Sequence, residues 1–211
     1  MKRGGIATRR SFARAMTRFG ALVAFAAACL AGCGGAPSDQ IKDIRGMLPD
    51  LEFHLTGHDG AVTAERFRGA PVLLYFGYAS CPDVCPTTLA VLRAALAQLG
   101  DAGRAVRVLF VSVDPQRDTA AKLTAYAGVF GPQFVGLRGD DDALTRLTKR
   151  YRVGYSRGTP DARGDYPVTH SSAVFVFDAN GAARYLVRSG NSSAAIAQML
   201  EPLVETTRPG R

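Results

Sequence analysis

The sequence predicts an α/β fold, with a mixed central sheet flanked by helices, an extra N-terminal β-hairpin and an inserted segment before a C-terminal hairpin. Three observations predict it. Val72–Phe76 is a continuous apolar run and Val106–Val113 is apolar apart from Arg107 and Ser112, as in strands covered on both faces. Leu89, Leu92, Leu96 and Leu99 lie between them on one helical stripe. Late in the chain, two short apolar runs bracket Asp178-Ala179-Asn180-Gly181, where Asn-Gly tolerates the positive φ of a tight hairpin turn.

The first elements are addresses rather than structure. Arg9 and Arg10, in Thr8-Arg9-Arg10-Ser11-Phe12, resemble a twin-arginine export signal. The apolar run Ala21–Ala31 is too short for a spanning helix. It ends in Leu30-Ala31-Gly32-Cys33, which resembles a lipobox. Residues 1–32 are therefore expected to be a cleaved signal peptide, with Cys33 the lipidation site. Residues 33–46, rich in Gly, Pro and polar side chains, read as a lipidated flexible tether. The expected localisation is export, with a lipid anchor in a membrane and the domain facing the periplasm or cell exterior.

Within the domain, residues 47–205, the elements follow in order. Leu51, Phe53 and Leu55 alternate with Glu52 and His54, predicting a half-buried strand that Gly57-His58-Asp59-Gly60 turns back. After the strand Val72–Phe76 come Cys81 and Cys85, the leucine-striped helix, and the strand within Val106–Val113. Helices are predicted over Thr119–Val129 and Asp140–Tyr151, with a short strand Phe134–Leu137 between them. Ala173–Phe177 and Arg184–Val187 form the last hairpin. Ser192 or Ser193 caps a final helix with Ile196, Met199 and Leu203 inward, which Pro202 bends or ends. Residues 206–211 are a tail. Strand, cysteines, helix, strand, crossover, hairpin and helix is a thioredoxin-like order.

Charge excludes one class of function. The whole chain carries +8, but six of its 26 basic residues and none of its 18 acidic ones lie in residues 1–32. The remainder is close to neutral, so nucleic acid is not an expected partner.

Of four cysteines, Cys81 and Cys85 remain in the domain, four positions apart. Pro86 suits the first position of a helix, which would make Cys85 its N-cap. There the helix start favours an anionic sulfur, with Asp83 mildly opposing. Three readings stand. A structural disulfide closing so short a loop would stabilise little. A redox dithiol would exchange electrons with another protein. A metal site would need a further ligand, and His170 is the candidate, because in this fold the loop entering the last hairpin faces the cysteine loop. Two thiolates and an imidazole form a soft donor set that suits Cu(I) and accommodates Cu(II). Structural zinc would want a fourth ligand. His54 and His58 are expected to be solvated, and Met47 and Met199 are isolated.

Three segments resemble the Sco/SenC family. They are Tyr75-Phe76-Gly77-Tyr78 leading into Cys81-Pro82-Asp83-Val84-Cys85-Pro86, Val111-Ser112-Val113-Asp114-Pro115-Gln116-Arg117-Asp118-Thr119, and Asp165-Tyr166-Pro167-Val168-Thr169-His170-Ser171. The resemblance runs from about Leu48 to Val204. It implies that Cys81, Cys85 and His170 hold a copper ion, and that the protein is a metallochaperone for the binuclear copper centre of cytochrome c oxidase. Implied partners are the copper-site subunit of that oxidase, another periplasmic copper carrier and a thioredoxin-like reductant. Asp114 matches an acidic position of the family at the carboxyl end of a strand, where sites form. Ala79 stands where a threonine is more typical of the family.

The alternative is a thiol–disulfide oxidoreductase using Cys81 and Cys85 as its catalytic redox pair. The absence of a Cys-x-x-Cys spacing and of any tryptophan separates the chain from typical thioredoxins. A peroxidase of the peroxiredoxin type is more distant, since neither Tyr78 nor Pro82 is the threonine expected three residues before its reactive cysteine. A copper or redox sensor is a further alternative.

Overall fold

The computed structural model describes residues 41–206. The expected signal peptide, the lipidated Cys33, the tether up to residue 40 and the tail from residue 207 lie outside the described residues. The elements are β1 (Lys42–Asp43), β2 (His54–Gly57), β3 (Gly60–Thr63), β4 (Val72–Gly77), α1 (Val84–Gln98), β5 (Arg107–Ser112), α2 (Ala120–Gly128), β6 (Phe134–Leu137), α3 (Asp141–Arg150), β7 (Tyr155–Arg157), β8 (Val168–His170), β9 (Val174–Phe177), β10 (Ala183–Val187) and α4 (Ser193–Glu205). No helix among the described residues is long and apolar enough to cross a membrane.

Six strands form one mixed sheet in the order β1-β10-β9-β4-β5-β6. β4, β5 and β6 run parallel, while β9 is antiparallel to β4 and β10 to β9. This is the expected thioredoxin-like arrangement. The N-terminal hairpin is β2–β3, with Gly60 at φ 106 closing the turn through His58 and Asp59.

All six residues of β4 are buried, so both faces of the central strand are covered. One face carries a line of rings from Tyr75 to Phe110 (5.9 Å) and on to Tyr126 of α2 (5.2 Å). The other carries Phe76 against Phe175, and Tyr151 against Phe175 and Phe177. α1 packs on α4, and α2 packs on β6. The predicted cap of the last helix is in place at Ser192, and α2 and α3 are capped in the same way. The side chains of Thr119, Asp140 and Ser192 accept from the backbone N–H of Lys122, Ala143 and Ala195.

Four expectations need correction. Leu51 and Phe53 are buried and Glu52 is exposed, as alternation predicted, but the strand itself is His54–Gly57. The backbone before it bonds elsewhere. Leu51 donates to the carbonyl of Gly181 at 2.7 Å, and the Tyr151 hydroxyl accepts from the Glu52 N–H while donating to the Asp50 carbonyl. The tether was expected to reach residue 46, yet Lys42–Asp43 pairs with β10 and Ile44 is buried. A single apolar side chain and an open sheet edge suffice to recruit this stretch. Pro202 lies inside α4, which continues to Glu205. The inward stripe of α4 is Ile196, Ala197, Leu200, Leu203 and Val204, with Met199 at its margin. Between α3 and β9 lies a further small hairpin, β7–β8, that alternation did not reveal.

Gly136 in β6 lets α2 approach closely. A Cβ there would lie 2.4 Å from the backbone oxygen of Leu123. Gly136→Ala must therefore push α2 off the sheet and is expected to cost about 1–3 kcal/mol, as overpacking does. Urea unfolding of the two proteins measures this.

Candidate metal centre

Cys81 and Cys85 are presented by the loop that leaves the end of β4. Helix α1 begins at Val84 with Asp83 as its N-cap, and the Asp83 side chain makes no capping bond to the backbone. Cys85 is thus the second helical residue and Pro86 the third, not the N-cap and first residue expected. Proline is tolerated at either place because N–H groups of the first turn have no intrahelical partner. The shift turns Cys85 inward. It is fully buried and Cys81 is 8% exposed, and both are free thiols. Gly77 makes room for this sulfur. A Cβ at that position would lie 2.8 Å from the Cys85 Sγ and 2.5 Å from the Phe110 ring.

His170 closes β8. Its Nε2 lies 3.4 Å from the Cys85 Sγ, and its Nδ1 lies 2.9 Å from the carbonyl oxygen of Ser171. A carbonyl can only accept, so Nδ1 carries the proton and Nε2 presents its lone pair to the sulfur. The rings of Tyr75 and Tyr78 hold the imidazole edge-on, at 6.1 and 5.9 Å between centroids. The donor atoms of Cys81, Cys85 and His170 all lie within 4.8 Å of one another. His54 and His58 are exposed and apart from this group.

Burial dominates the electrostatics. It pushes the Cys85 thiol from 9.0 up to about 12, although the backbone of Tyr78 and the side chain of Tyr75 partly oppose the rise. The helix start was expected to lower this value, but removal from water outweighs it. Burial also raises Tyr75.

Beside the donors, the β5–α2 connection carries two fully buried acids. Asp118 accepts from the Ala79 N–H (2.9 Å) and the Ser112 hydroxyl (2.7 Å), and pairs with Lys122 at 3.0 Å. Asp114 accepts from Arg117 Nε (2.5 Å) and from the Tyr166 hydroxyl (2.6 Å). Asp114 is therefore engaged with neighbours and is not among the converging donors. Sequence reasoning passed over Gly77, Arg117, Asp118 and Tyr166. The signal that could have found the loop residues was two acids just after a largely apolar strand, which must be paired if buried.

A group of two thiols and one imidazole can hold a soft metal ion as thiolates, and two neighbouring reduced cysteines can also close a disulfide.

Comparison with known proteins places the chain. A family model described as SCO1/SenC matches residues 46–205. The protein SCO2 homolog, mitochondrial, of Bos taurus is 41% identical over 133 residues, covering 62% of this chain and 50% of that protein. The chain thus spans about half the length of the curated relatives from cow and human that it matches. Bradyrhizobium japonicum ScoI, solved with copper bound, superposes with a TM-score of 0.66 at 34% identity, covering 73% of this chain and 98% of that one. Yeast Sco1, also solved with copper bound, gives 0.68 at 30% identity, covering 77% and 92%.

The buried thiol makes stability depend on pH with a definite sign. The unfolded chain releases the Cys85 proton near 9.0 and the folded protein near 12, so the contribution is complete below 9 and is lost as pH climbs between them. Metal-free Cys85→Ala should lack this loss, its stability falling less steeply by up to about 1.4 kcal/mol per pH unit in that window. Urea unfolding of both proteins across the window checks it.

Proposed function

The chain belongs to the SCO1/SenC family, and from that premise we propose that it is a copper-binding metallochaperone serving assembly of the binuclear copper centre of cytochrome c oxidase. Copper is its cargo, held by Cys81, Cys85 and His170. The observation that carries this reading is the approach of the His170 Nε2 to the Cys85 Sγ at 3.4 Å, with the Cys81 sulfur in the same group. The copper-bound ScoI and Sco1 structures support the choice of metal, and so does the softness of the donor set.

The chain's own residues account for tight but releasable binding. The Ser171 carbonyl accepts from Nδ1 and so holds the tautomer in which the Nε2 lone pair faces the metal, as is common at metal-binding histidines. A buried thiol that keeps its proton to high pH is a poor free anion. A metal cation that replaces the proton balances the sulfur's charge where water cannot. Cys81, the less buried sulfur, is the natural point of entry for the ion and of exchange with a partner's ligands.

In this reading residues 1–32 export the chain and Cys33 anchors it by lipid to a membrane, with the domain facing the periplasm or cell exterior. The partners are the copper-site subunit of the oxidase, a periplasmic copper carrier that supplies the ion, and a thioredoxin-like reductant that keeps the cysteines reduced.

The neighbouring reduced pair favours a second reading, in which Cys81 and Cys85 reduce a disulfide in the oxidase copper site or another exported protein. Two electrons and two protons would pass to the target's disulfide as a bond closes between the two sulfurs here.

Reduced protein is expected to bind one Cu(I) per chain in competition titrations. Cys81→Ser, Cys85→Ser and His170→Ala should each weaken binding by about 10- to 100-fold or more, since outer-shell partners alone carry that much. Affinity should rise with pH by about tenfold per unit for each proton displaced. Unchanged affinity in His170→Ala would remove the three-donor site. A strongly reducing dithiol with negligible copper uptake would favour the second reading.

A further inference from the structure

The two halves of the donor group come from distant parts of the chain, and each is tied to the same five residues, Asp114–Asp118. Asp118 holds the cysteine half through the N–H of Ala79, and Lys122 adds a bond to the Ser80 hydroxyl. Asp114 and Arg117 hold the histidine half. The Tyr166 hydroxyl donates to Asp114, Arg117 Nη2 donates to the Tyr166 carbonyl at 2.9 Å, and the Arg117 guanidinium lies 3.8 Å from the centre of the Tyr166 ring.

That grip is needed because β7–β8 has only three residue pairs, from Tyr155↔His170 to Arg157↔Val168. It is a separate two-stranded ribbon, outside the six-stranded sheet. So short a ribbon is marginal by itself. Tyr166 stands two residues before β8 and four before His170. Its hydroxyl is bonded to a fully buried carboxylate, so this contact is charge-assisted and shielded from water. Arg157 of β7 also approaches Asp114, at 3.9 Å, so β7 and the segment leading into β8 meet the same acid.

We propose that Tyr166, latched to Asp114 and Arg117, is the positioning residue that keeps His170 over the cysteine pair. It touches no metal. It acts through the β7–β8 ribbon, and Asp118 keeps the cysteine loop in place independently. The proposal deepens the copper reading but does not need it for its first test.

Amide hydrogen exchange in metal-free, reduced protein reads the ribbon directly. Tyr166→Phe keeps the ring under Arg117 and deletes the hydroxyl. Exchange at the ribbon's paired amides should quicken by about tenfold or more, the factor that corresponds to one charge-assisted hydrogen bond. Amides of β4, β5 and α1 should not change. Cu(I) competition then compares wild type, Tyr166→Phe, His170→Ala and the double variant. Tyr166→Phe should weaken binding, and should add nothing once His170 is gone, because it acts through that ring. Unchanged exchange in the ribbon, or a loss that simply adds to that of His170→Ala, overturns the proposal. If wild type takes up no copper, the copper reading fails and the exchange result alone decides the latch.

Discussion

The structure turns on one buried sulfur. Cys85 must be an anion to bind metal or attack a disulfide, yet it sits where an anion is least welcome. A helix start offers it partial positive charge, and the Tyr78 backbone offers a little more, but burial prevails and the thiol holds its proton to about 12. What stands opposite is the Nε2 of His170, whose Nδ1 faces the Ser171 carbonyl, so that Nε2 can share a cation with the sulfur. The arrangement is poor for a freely ionised nucleophile. It suits a sulfur whose charge is formed only when a cation arrives to balance it, and whose bond to that cation is then strengthened by the dry surroundings.

Bringing that imidazole to that sulfur is a problem of topology before it is one of chemistry. Cys85 follows β4 and His170 precedes β9, and these strands are neighbours in the sheet. β4 ends at the cysteine loop while antiparallel β9 begins beside it, so the two segments arrive at the same edge. The sheet brings them to within a few residues of contact. Local packing does the rest. Gly77 lets the sulfur reach the sheet surface, Tyr75 and Tyr78 wall the ring, and the buried acids after β5 tie both loops to the rigid centre. Asp114 and Asp118 lie at the carboxyl end of β5, the strand beside β4, so one short connection can reach both.

How much of this could be read from the residues divides along physical lines. Strands buried on both faces announce themselves, and β4, β5 and β6 lie where the apolar runs put them. Caps are local bonds between a side chain and the next turn, so Ser192 was legible, whereas Thr119 and Asp140 were read as first residues of the helices that they cap. The convergence of Cys81, Cys85 and His170 was legible from residue types in a fold order. The misses concern competition between contacts. Residues 50–53 alternate like a strand, but their backbone bonds go to Gly181 and Tyr151, which pattern cannot reveal. The start of α1 lies two residues early because Pro86 fits several positions of a first turn. The β7–β8 ribbon has three polar-leaning residues a side and survives through Tyr166 and Asp114, a contact spanning 52 positions. No window along the chain contains it.

The burial difference between the two cysteines argues for an order of events at the site. An ion held by a fully enclosed ligand set would be released only as the fold opens, and an ion held by exposed ligands would be lost to water or competing thiols. Here Cys85 is closed off on all sides, Cys81 keeps an edge in the loop, and His170 rides on the short β7–β8 ribbon that Tyr166 ties to Asp114. A transfer through a shared intermediate needs a ligand that can let go without unfolding the core. Of the three donors, Cys81 is the one that lies outside any strand or helix, and it is the one an incoming ligand can approach. Retention would then reside in Cys85, which leaves last.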